Sequence, residues 1–200
     1  MTHPPLAWPS TAPTFGEVRL RAFTDRDVDM LTDLSTDPYV PRIGTLPGDA
    51  DGDQARAYIT RQHDRFRTGT GYSFCVADRH TDEAVGVVGL HLAAVAAGRA
   101  GAGYGVAPRS RGRGLAGQAL TALTRFAWSL PEVDRIELHI EPWNLGSVRT
   151  AEAAGYEREG LLRGHRDIGG DRVDVLLYAT VRPVGRRADG NGRAVPPGTA

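Results

Sequence analysis

Lysine is missing from this sequence, because all 24 basic residues are arginines. The chain therefore has neither a lysine nucleophile nor the lysine of a P-loop phosphate site. The chain also has no net charge, since 24 acidic residues balance the arginines. A chain without net charge has no overall attraction to nucleic acid or to an anionic membrane. We expect neither as a partner, and any basic function must be local.

Long apolar runs are also absent. No stretch approaches the roughly 20 apolar residues of a membrane-spanning helix. The first fifteen residues carry prolines rather than a basic, apolar-cored signal. These absences predict a cytoplasmic protein. Cysteine occurs once, at Cys75, which excludes an internal disulfide, and its β-forming neighbours predict a buried structural thiol.

The length and the distribution of proline predict one folded unit with loose ends. Two hundred residues with 40% hydrophobic content can enclose one hydrophobic core. Four prolines fall in 1–14, and three prolines with four glycines fall in 183–200, without apolar periodicity. We therefore expect flexible segments at 1–14 and 183–200 around a single domain at 15–182.

The hydrophobic pattern changes between the periods of strands and helices. Strands are predicted where β-forming residues alternate or cluster, at 17–21, 72–77, 84–92, 101–106, 135–141, 156–162 and 173–181. Helices are predicted where apolar residues recur at helical spacing or follow a capping residue, at 24–34, 53–67, 114–130 and 144–155. The order β-α-α-β-β-β-α-β-α-β-β predicts a mixed α/β fold without internal repeats, in which the three middle strands form an antiparallel meander.

An arginine- and glycine-rich segment lies between a predicted strand and a predicted helix. It occupies 106–116 and carries arginines at alternate positions, 109, 111 and 113, beside Gly112 and Gly114. Glycines allow backbone N–H groups to converge on one anion, and the helix that follows adds its positive N-terminal end. Alternate arginines add full charges that suit a ligand with several phosphates. The segment therefore predicts a phosphate-binding loop.

Two other interpretations of this segment were weighed. A solvated, flexible turn would have the same composition. A dinucleotide fold would also fit formally, because 112–117 matches G-x-G-x-x-G and Asp134 or Glu137 follows roughly 20 residues later. The surroundings argue against it: residues 108–111 separate the strand from the first glycine, three predicted strands precede the motif, and only about 60 residues of predicted fold follow.

Two motifs at this separation resemble a known family. Arg109-x-x-Gly112-x-Gly114, entered through Val106-Ala107-Pro108, resembles the acyl-CoA pyrophosphate loop of the GNAT acetyltransferases. Asn144-x-x-Ser147-x-Arg149, followed by Ala154-Gly155-Tyr156, resembles the family segment that reaches the pantetheine arm. Shorter matches are similar to the RimJ/RimL-like branch, known for acetylating protein N-termini: Leu20-Arg21, Asp27, Asp37-Pro38, Gly160-Leu161-Leu162-Arg163, Asp174 and Tyr178. The resemblance covers roughly residues 17–181.

The resemblance implies a fold and a co-substrate. The implied GNAT fold has a central mixed, mostly antiparallel twisted sheet that is splayed at the acyl-CoA site, with helices on both faces. Acetyl-CoA, or another acyl-CoA, is the implied co-substrate, and no metal is implied. The residues that the resemblance implies for cofactor binding are Tyr104, Val106, Arg109, Ser110, Arg111, Gly112, Arg113, Gly114, Leu115, Ala116, Asn144 and Arg149. The backbone N–H groups of 104–106 would also polarise the thioester carbonyl.

The implied reaction is direct attack of a primary amine on the thioester in a ternary complex. The resemblance places Ser147 near the sulfur, where it would donate a hydrogen bond or relay a proton to the leaving thiolate. Many relatives have a tyrosine at the position of Ala151. Glu141 and His91 are the candidates for the general base. Ser147, Glu141 and His91 each have a purely structural interpretation as well. Ser147 would be a hydroxyl at a helix start, Glu141 an acid at a strand end and His91 a packed strand histidine.

The amine acceptor is less well defined. An α-amine, with a pKa of about 8, needs less help to lose a proton than a lysine side chain, at about 10.4. The weak signal for a base therefore favours a protein N-terminal α-amine, with a small-molecule amine such as an aminoglycoside or a polyamine as the alternative. The loop 36–53 is predicted to roof the acceptor site, and Asp49, Asp51 and Asp53 would suit a cationic acceptor or simply precede a helix start.

One alternative belongs to another functional class. The alanine at the tyrosine position and the unclear base would also fit a non-catalytic protein that senses acyl-CoA. The resemblance adds a homodimer as an expectation. The sequence does not choose between acetyl, succinyl and longer acyl groups.

Overall fold

The computed structural model describes residues 6–183, so that the predicted flexible residues at 1–5 and 184–200 lie outside the described part. The strands within it are β1 (Thr14–Phe15), β2 (Val18–Arg21), β3 (Gly71–Asp78), β4 (Ala84–His91), β5 (Arg99–Val106), β6 (Arg135–Ile140), β7 (Glu157–Ile168) and β8 (Asp171–Val181). The helices within it are α1 (Val28–Ser35), α2 (Val40–Ile43), α3 (Gly52–Arg67), α4 (Leu115–Ala127) and α5 (Leu145–Ala153).

The strands form one mixed sheet. Its order is β1-β2-β3-β4-β5-β6-β8-β7, and every neighbouring pair is antiparallel except β5 and β6. The predicted meander of β3, β4 and β5 is confirmed. The predicted α/β fold with a mostly antiparallel sheet is confirmed as well.

The one parallel pair separates along its length. Only 99–101 of β5 pair with β6, at 135–137. Beyond Gly101 the two strands continue to Val106 and Ile140 without pairing to each other. The sheet is therefore splayed at its centre, as expected, and the edge of β5 that faces β6 has backbone groups free of strand pairing over 102–106.

Helices cover both faces of the sheet. Successive strand residues point to opposite sides, so each face has its own apolar side chains for helices to cover. One apolar cluster joins α4 and α5 to the sheet, with Phe74, Leu120 and Ile136 fully buried. The other joins α1 and α3 to the opposite face, around Leu31 and the buried Cys75. Burial raises the pKa of the Cys75 thiol, so the predicted structural role of this cysteine agrees with its environment.

The N-terminal segment differs from the sequence prediction. Residues 6–14 were expected to be loose, but Trp8 packs edge-on against Phe66 with ring centroids 5.2 Å apart. The hydroxyl of Tyr72 also donates to the backbone oxygen of Ala7, at 3.0 Å. The prolines keep this segment out of regular structure, yet the Trp8 ring packs against the domain while it remains 37% exposed.

A buried ion pair fixes the start of α1. Both carboxylate oxygens of Asp27, which is 1% exposed, accept from the guanidinium of Arg21 at 2.8 Å. Arg21 also reaches Asp82 in the β3–β4 turn, at 2.7 Å. Burial acts to raise the pKa of Asp27, but the hydrogen bonds from Arg21 and from the Thr24 N–H outweigh it, and the pKa is lowered. β2, the start of α1 and the β3–β4 turn are thereby tied together.

Within residues 6–183, no helix is both long enough and apolar enough to cross a membrane.

Candidate active site

The splay between β5 and β6 forms a cleft that is closed on the α4 side by Tyr104. This side chain reaches from β5 to α5, where its hydroxyl donates to the backbone oxygen of Ser147 at 3.0 Å. Burial raises the pKa of Tyr104 to about 12, and the hydroxyls of Ser147 and Thr150 offset part of that rise. Tyr104 therefore stays neutral and links the two halves of the sheet below the cleft.

The loop after β5 ends in an open helix N-terminus. Gly112 and Gly114 have φ values of 79° and 70°, a conformation that favours glycine. Gly114 is the N-cap of α4 and provides no side chain to cap it. A Cβ at either glycine would meet nothing within 4 Å, so this surface is open. The first N–H groups of α4, at 115–117, lack partners within the helix and carry its positive end toward that opening.

Some residues near the start of α4 have either their N–H group or their side chain unavailable to this opening. The N–H groups of Ser110 and Arg111 are used inside the turn, because they donate to Ala107 and Pro108 at 2.8 and 3.3 Å. Ser110 is buried, and the side chain of Leu115 belongs to the core. Leu115 can therefore contribute to an anion site only through its backbone N–H, whereas the N–H of Ser110 is already used inside the turn.

Each of the three loop arginines lies beside an aspartate. The shortest ion pair joins Arg111 to Asp37 at 2.6 Å, and Arg109 and Arg113 lie 3.7 and 3.6 Å from Asp33 and Asp78. Burial acts to raise the pKa of Asp37, but Arg111 and two backbone N–H groups outweigh it and lower the pKa. The carboxylates hold the guanidinium groups at the rim of the loop.

The predicted segment on α5 borders the other side of the cleft. Asn144 caps α5, since its side-chain oxygen accepts from the N–H of Ser147 at 3.1 Å. Ser147 is half-buried beside the Tyr104 hydroxyl, whereas Arg149 is exposed. Ala151, at the position where many relatives have a tyrosine, is fully buried in the core. A longer side chain has no room there without repacking.

Glu141 is a buried carboxylate at the end of β6, with 3% exposure. One of its oxygens accepts a short hydrogen bond from the hydroxyl of Tyr39. The other, Oε1, is the one buried side-chain oxygen or nitrogen among residues 6–183 without a hydrogen-bond partner. Unpartnered buried carboxylate oxygens are costly and call for an explanation. An N–H donor of a bound substrate would satisfy this one.

Tyr39 is the site residue that the sequence analysis missed. It precedes α2, and its ring packs edge-on against Trp143 at 4.8 Å between centroids. Burial first, and then Glu141, raise the pKa of its hydroxyl, which therefore stays a hydrogen-bond donor. No local pattern announces this role, because Tyr39 and Glu141 are 102 residues apart in the chain.

A second missed feature is a glycine floor, formed by Gly89, Gly103 and Gly105. Gly89 and Gly103 are direct partners in the β4–β5 pair, and these glycines line a cavity of about 190 Å³. The cavity lies between the sheet and the helices α1, α2 and α3, with Leu34 and Tyr58 among its apolar walls. The signal was present in the sequence, since β5 reads R-A-G-A-G-Y-G-V with glycine at alternate positions.

His91 lies at the edge of the same cavity. The residue is exposed at the end of β4, but its ring lies over the glycine floor, where a Cβ on Gly103 would be 3.9 Å from Nε2. Partial burial of the ring lowers its pKa, and the positive charges of Arg65 and Arg166 lower it further. The imidazole is therefore neutral near pH 7.

The structure thus brings some of the predicted site residues together and leaves others apart. The loop, Tyr104, Asn144 and Ser147 surround the splay, and Glu141 lies on the face of β6 opposite the buried Ile136, Leu138 and Ile140. The predicted roof is formed by 43–46, which line the cavity. The three loop aspartates do not line it: Asp51 caps α3 and Asp53 pairs with Arg56 on the surface.

Comparisons with known proteins agree with this geometry. The acetyltransferase (GNAT) domain matches residues 17–157. The chain is 28% identical over 163 residues to a protein named as an uncharacterized N-acetyltransferase, p20, from Bacillus licheniformis, covering 82% of this chain and 92% of the relative. It is 30% identical over 129 residues to a probable N-acetyltransferase, YjcK, from Bacillus subtilis, covering 64% and 71%.

A solved structure shares the fold. RimJ from Mycobacterium smegmatis, in complex with a CoA disulfide, has a TM-score of 0.73 at 23% identity and covers 87% of this chain and 88% of its own. The named protein is from the RimJ/RimL-like branch that the sequence resembles. The chain belongs to the GNAT family of N-acetyltransferases.

Proposed function

We propose that this enzyme transfers an acetyl group from acetyl-CoA to the α-amine at the N-terminus of a peptide or protein. The observation that carries the proposal is the splay of β5 from β6 beside the open N-terminus of α4. A free strand edge and a helix N-terminus at one end of it suit an extended ligand that ends in phosphates.

The described residues fit acetyl-CoA as a substrate. N–H groups at 112–117 and the rim arginines would hold the pyrophosphate. The unpaired edge at 104–106 would hydrogen-bond the pantetheine and polarise the thioester carbonyl. Asn144 and Arg149 would contact the same substrate from α5. Acetyl-CoA supplies the activated acyl group, and the protein supplies position and proton transfer.

In this proposal Glu141 would receive the proton of the amine. Its buried carboxylate has one oxygen held by Tyr39 and one unpartnered oxygen. The unpartnered oxygen would accept an N–H of the incoming amine and hold it for attack. An α-amine, with a pKa of about 8, is already partly neutral near pH 7.5, so a modest base is enough.

Ser147 and His91 have different roles in this proposal. Ser147 lies beside the Tyr104 hydroxyl at the cleft and would donate to the leaving sulfur. His91 is neutral near pH 7 but lies at the cavity edge, beside Arg65. We assign Glu141 the role of base and His91 a role in binding the acceptor.

The size and charge of the cavity favour a peptide N-terminus over the small-molecule alternatives. At about 190 Å³ it is smaller than the roughly 300–1,000 Å³ that hold drug-sized ligands. It has room for a small side chain rather than for an aminoglycoside. The described lining contains no Asp or Glu, whereas a polyamine would need carboxylate partners.

Two measurements test the proposal. Calorimetric titration with acetyl-CoA, succinyl-CoA and NAD should give micromolar binding of acetyl-CoA, weaker binding of the bulkier acyl-CoA and none of NAD. Release of free CoA thiol should then depend on added peptide. Saturable acetyl-CoA binding without acceptor-dependent release would identify a sensor, which is the function that the buried Ala151 would favour. A cytoplasmic location and a homodimer stay predictions from the sequence.

A further inference from the structure

Arginines lie at and beside the glycine-floored cavity, although the chain as a whole has no net charge. Arg65 of α3 and His91 line the cavity itself. Arg42 of α2 lies at the tip of the β7–β8 turn, where a Cβ on Gly169 would be 3.4 Å from its Nη2. The positive charge of Arg166 on β7 adds to the lowering of the pKa of His91 and offsets part of the rise in the pKa of Tyr39.

The arginines of the described part of the chain fall into two groups, those with an ion-paired carboxylate and those without one, and these three belong to the second group together with others such as Arg61 and Arg149. Within residues 6–183, none of Arg42, Arg65 and Arg166 has a carboxylate within ion-pair distance. On α3 itself, Arg56 and Arg67 pair with aspartates on the solvent side. Arg65 and Arg166 are half-buried and Arg42 is exposed. Unpaired cations repel each other and are stabilised when an anion binds between them.

Two histidines also lie beside Arg166. The rings of His139 on β6 and His165 on β7 are 4.9 Å apart. Partial burial lowers the pKa of His139 and the neighbouring His165 lowers it further, so His139 is neutral near pH 7 and leaves the arginines as the fixed charges. The carboxylate of Glu141 is buried and accepts from the hydroxyl of Tyr39.

We propose that the enzyme selects peptide N-termini that carry an acidic side chain at the second or third residue. A small first side chain occupies the glycine-floored cavity, the terminal amine lies against Glu141 beside it, and the following carboxylates lie among Arg42, Arg65 and Arg166. This proposal rests on the proposed acetyl transfer to an N-terminal amine, and adds to it the class of peptide. Positive charge beside the cavity also speeds the encounter with such peptides.

Three peptides of equal length test the selection. All begin with serine and share a neutral C-terminal part, and positions two and three are both Asp, both Asn or both Lys. The full chain is assayed with acetyl-CoA by release of CoA thiol. We expect kcat/KM for the Asp peptide to exceed that for the Asn peptide by about tenfold and to exceed that for the Lys peptide by more. Raising the salt concentration should narrow the ratio.

Single substitutions test whether these arginine side chains cause the preference for acidic peptides. Arg65→Gln and Arg166→Gln should each lower kcat/KM for the Asp peptide about tenfold, with a smaller loss on the Asn peptide. Arg65→Lys should keep most of the preference, because it keeps the charge. Arg67→Gln is the matched control on α3, since Arg67 is exposed and paired with Asp64, and it should change neither rate. Thermal unfolding of each variant confirms that it is folded.

The outcomes separate this inference from the proposed function. Equal rates on the Asp and Asn peptides, or a preference for the Lys peptide, would overturn the acidic selection while peptide acetylation stands. Absence of acetylation on every peptide, with acetyl-CoA still bound, would overturn the proposed function and this inference with it.

Discussion

The hydroxyl of Tyr39 donates a hydrogen bond to the buried carboxylate of Glu141, 102 residues later in the chain. This contact joins the segment before α2 to the end of β6 across the acceptor side of the cleft. It leaves the second carboxylate oxygen as the free acceptor. The hydrogen bond therefore positions the proposed base as well as stabilising its charge.

Tyr39→Phe should lower kcat by about tenfold or more, because a hydrogen bond to a charged group contributes about 1.5–3 kcal/mol. The measurement is steady-state thiol release with a saturating Ser-initiated peptide. Tyr178→Phe is the matched control, since Tyr178 also donates to a glutamate, Glu152, at 3.0 Å, but lies on β8. Equal losses in the two variants would mean that Tyr39 acts on stability rather than on the base.

The glycine floor predicts that a larger side chain at position 103 reduces the activity on peptides. A Cβ at Gly103 meets only the His91 ring, at 3.9 Å, so Gly103→Val should fold but fill part of the cavity. We expect kcat/KM for the peptide to fall at least about tenfold, with the Kd for acetyl-CoA unchanged. Gly160→Val, on open surface, is the control. Gly86→Ala should instead destabilise the fold, because its Cβ would overlap the backbone oxygen of Gly105.

The loop arginine Arg111 gives a prediction about the co-substrate. Its guanidinium bridges Asp37, at 2.6 Å, and the backbone oxygen of Val106, at 2.9 Å. Arg111→Gln should raise the Kd for acetyl-CoA about tenfold to a hundredfold, since a charge-assisted phosphate contact contributes about 1.5–3 kcal/mol. Calorimetry measures the change, and Arg67→Gln should leave the Kd as it is. An unchanged Kd in Arg111→Gln would remove Arg111 from the phosphate site.

Stability should depend on pH through Asp27. Its folded-state pKa is lowered, so its contribution is present above the unfolded pKa of about 3.9 and is lost as pH falls through the folded value. Asp27→Asn should reduce the free energy of unfolding by about 3 kcal/mol at pH 7 and flatten the loss in acid.

Urea unfolding at pH 7, 5 and 3 measures both effects. Asp53→Asn removes an exposed pair and should change stability by less than about 1 kcal/mol. If the wild type and Asp27→Asn lost stability in parallel below pH 5, the buried pair would have no part in the acid sensitivity.

The sequence predicted those parts of the fold that local patterns encode. The meander, α4 and the Asn144 cap follow from alternation, helical spacing and capping chemistry, and the structure confirms them. The helix α2 was missed, because V-P-R-I is four residues long and contains a proline. Its position depends instead on Asp37, which accepts from the N–H groups of Tyr39 and Val40 at 2.8 and 3.0 Å.

The candidate site was predictable only in part, for a physical reason. The proposed anion-binding loop is one continuous segment, so its glycines and arginines between a strand and a helix indicate it in the sequence. The acceptor side is assembled from α2, α3, β4 and β6, and contacts such as Tyr39 with Glu141 arise only from tertiary packing. The aspartates of the 36–53 loop looked suited to a cationic acceptor, but Asp51 and Asp53 are used at the start of α3, and the described cavity lining contains Arg65 and no Asp or Glu.

The central claim is acetyl transfer to an N-terminal α-amine with Glu141 as the base. The most direct measurement is mass-spectrometric mapping of a peptide that has both a free α-amine and an internal lysine, after incubation with acetyl-CoA and either wild type or Glu141→Gln. Glu132→Gln, at an exposed position, is the control. The account predicts one acetyl group, on the α-amine, formed by the wild type and by Glu132→Gln and slowed about a hundredfold or more in Glu141→Gln. Acetylation of the lysine, or an undiminished rate in Glu141→Gln, would contradict it.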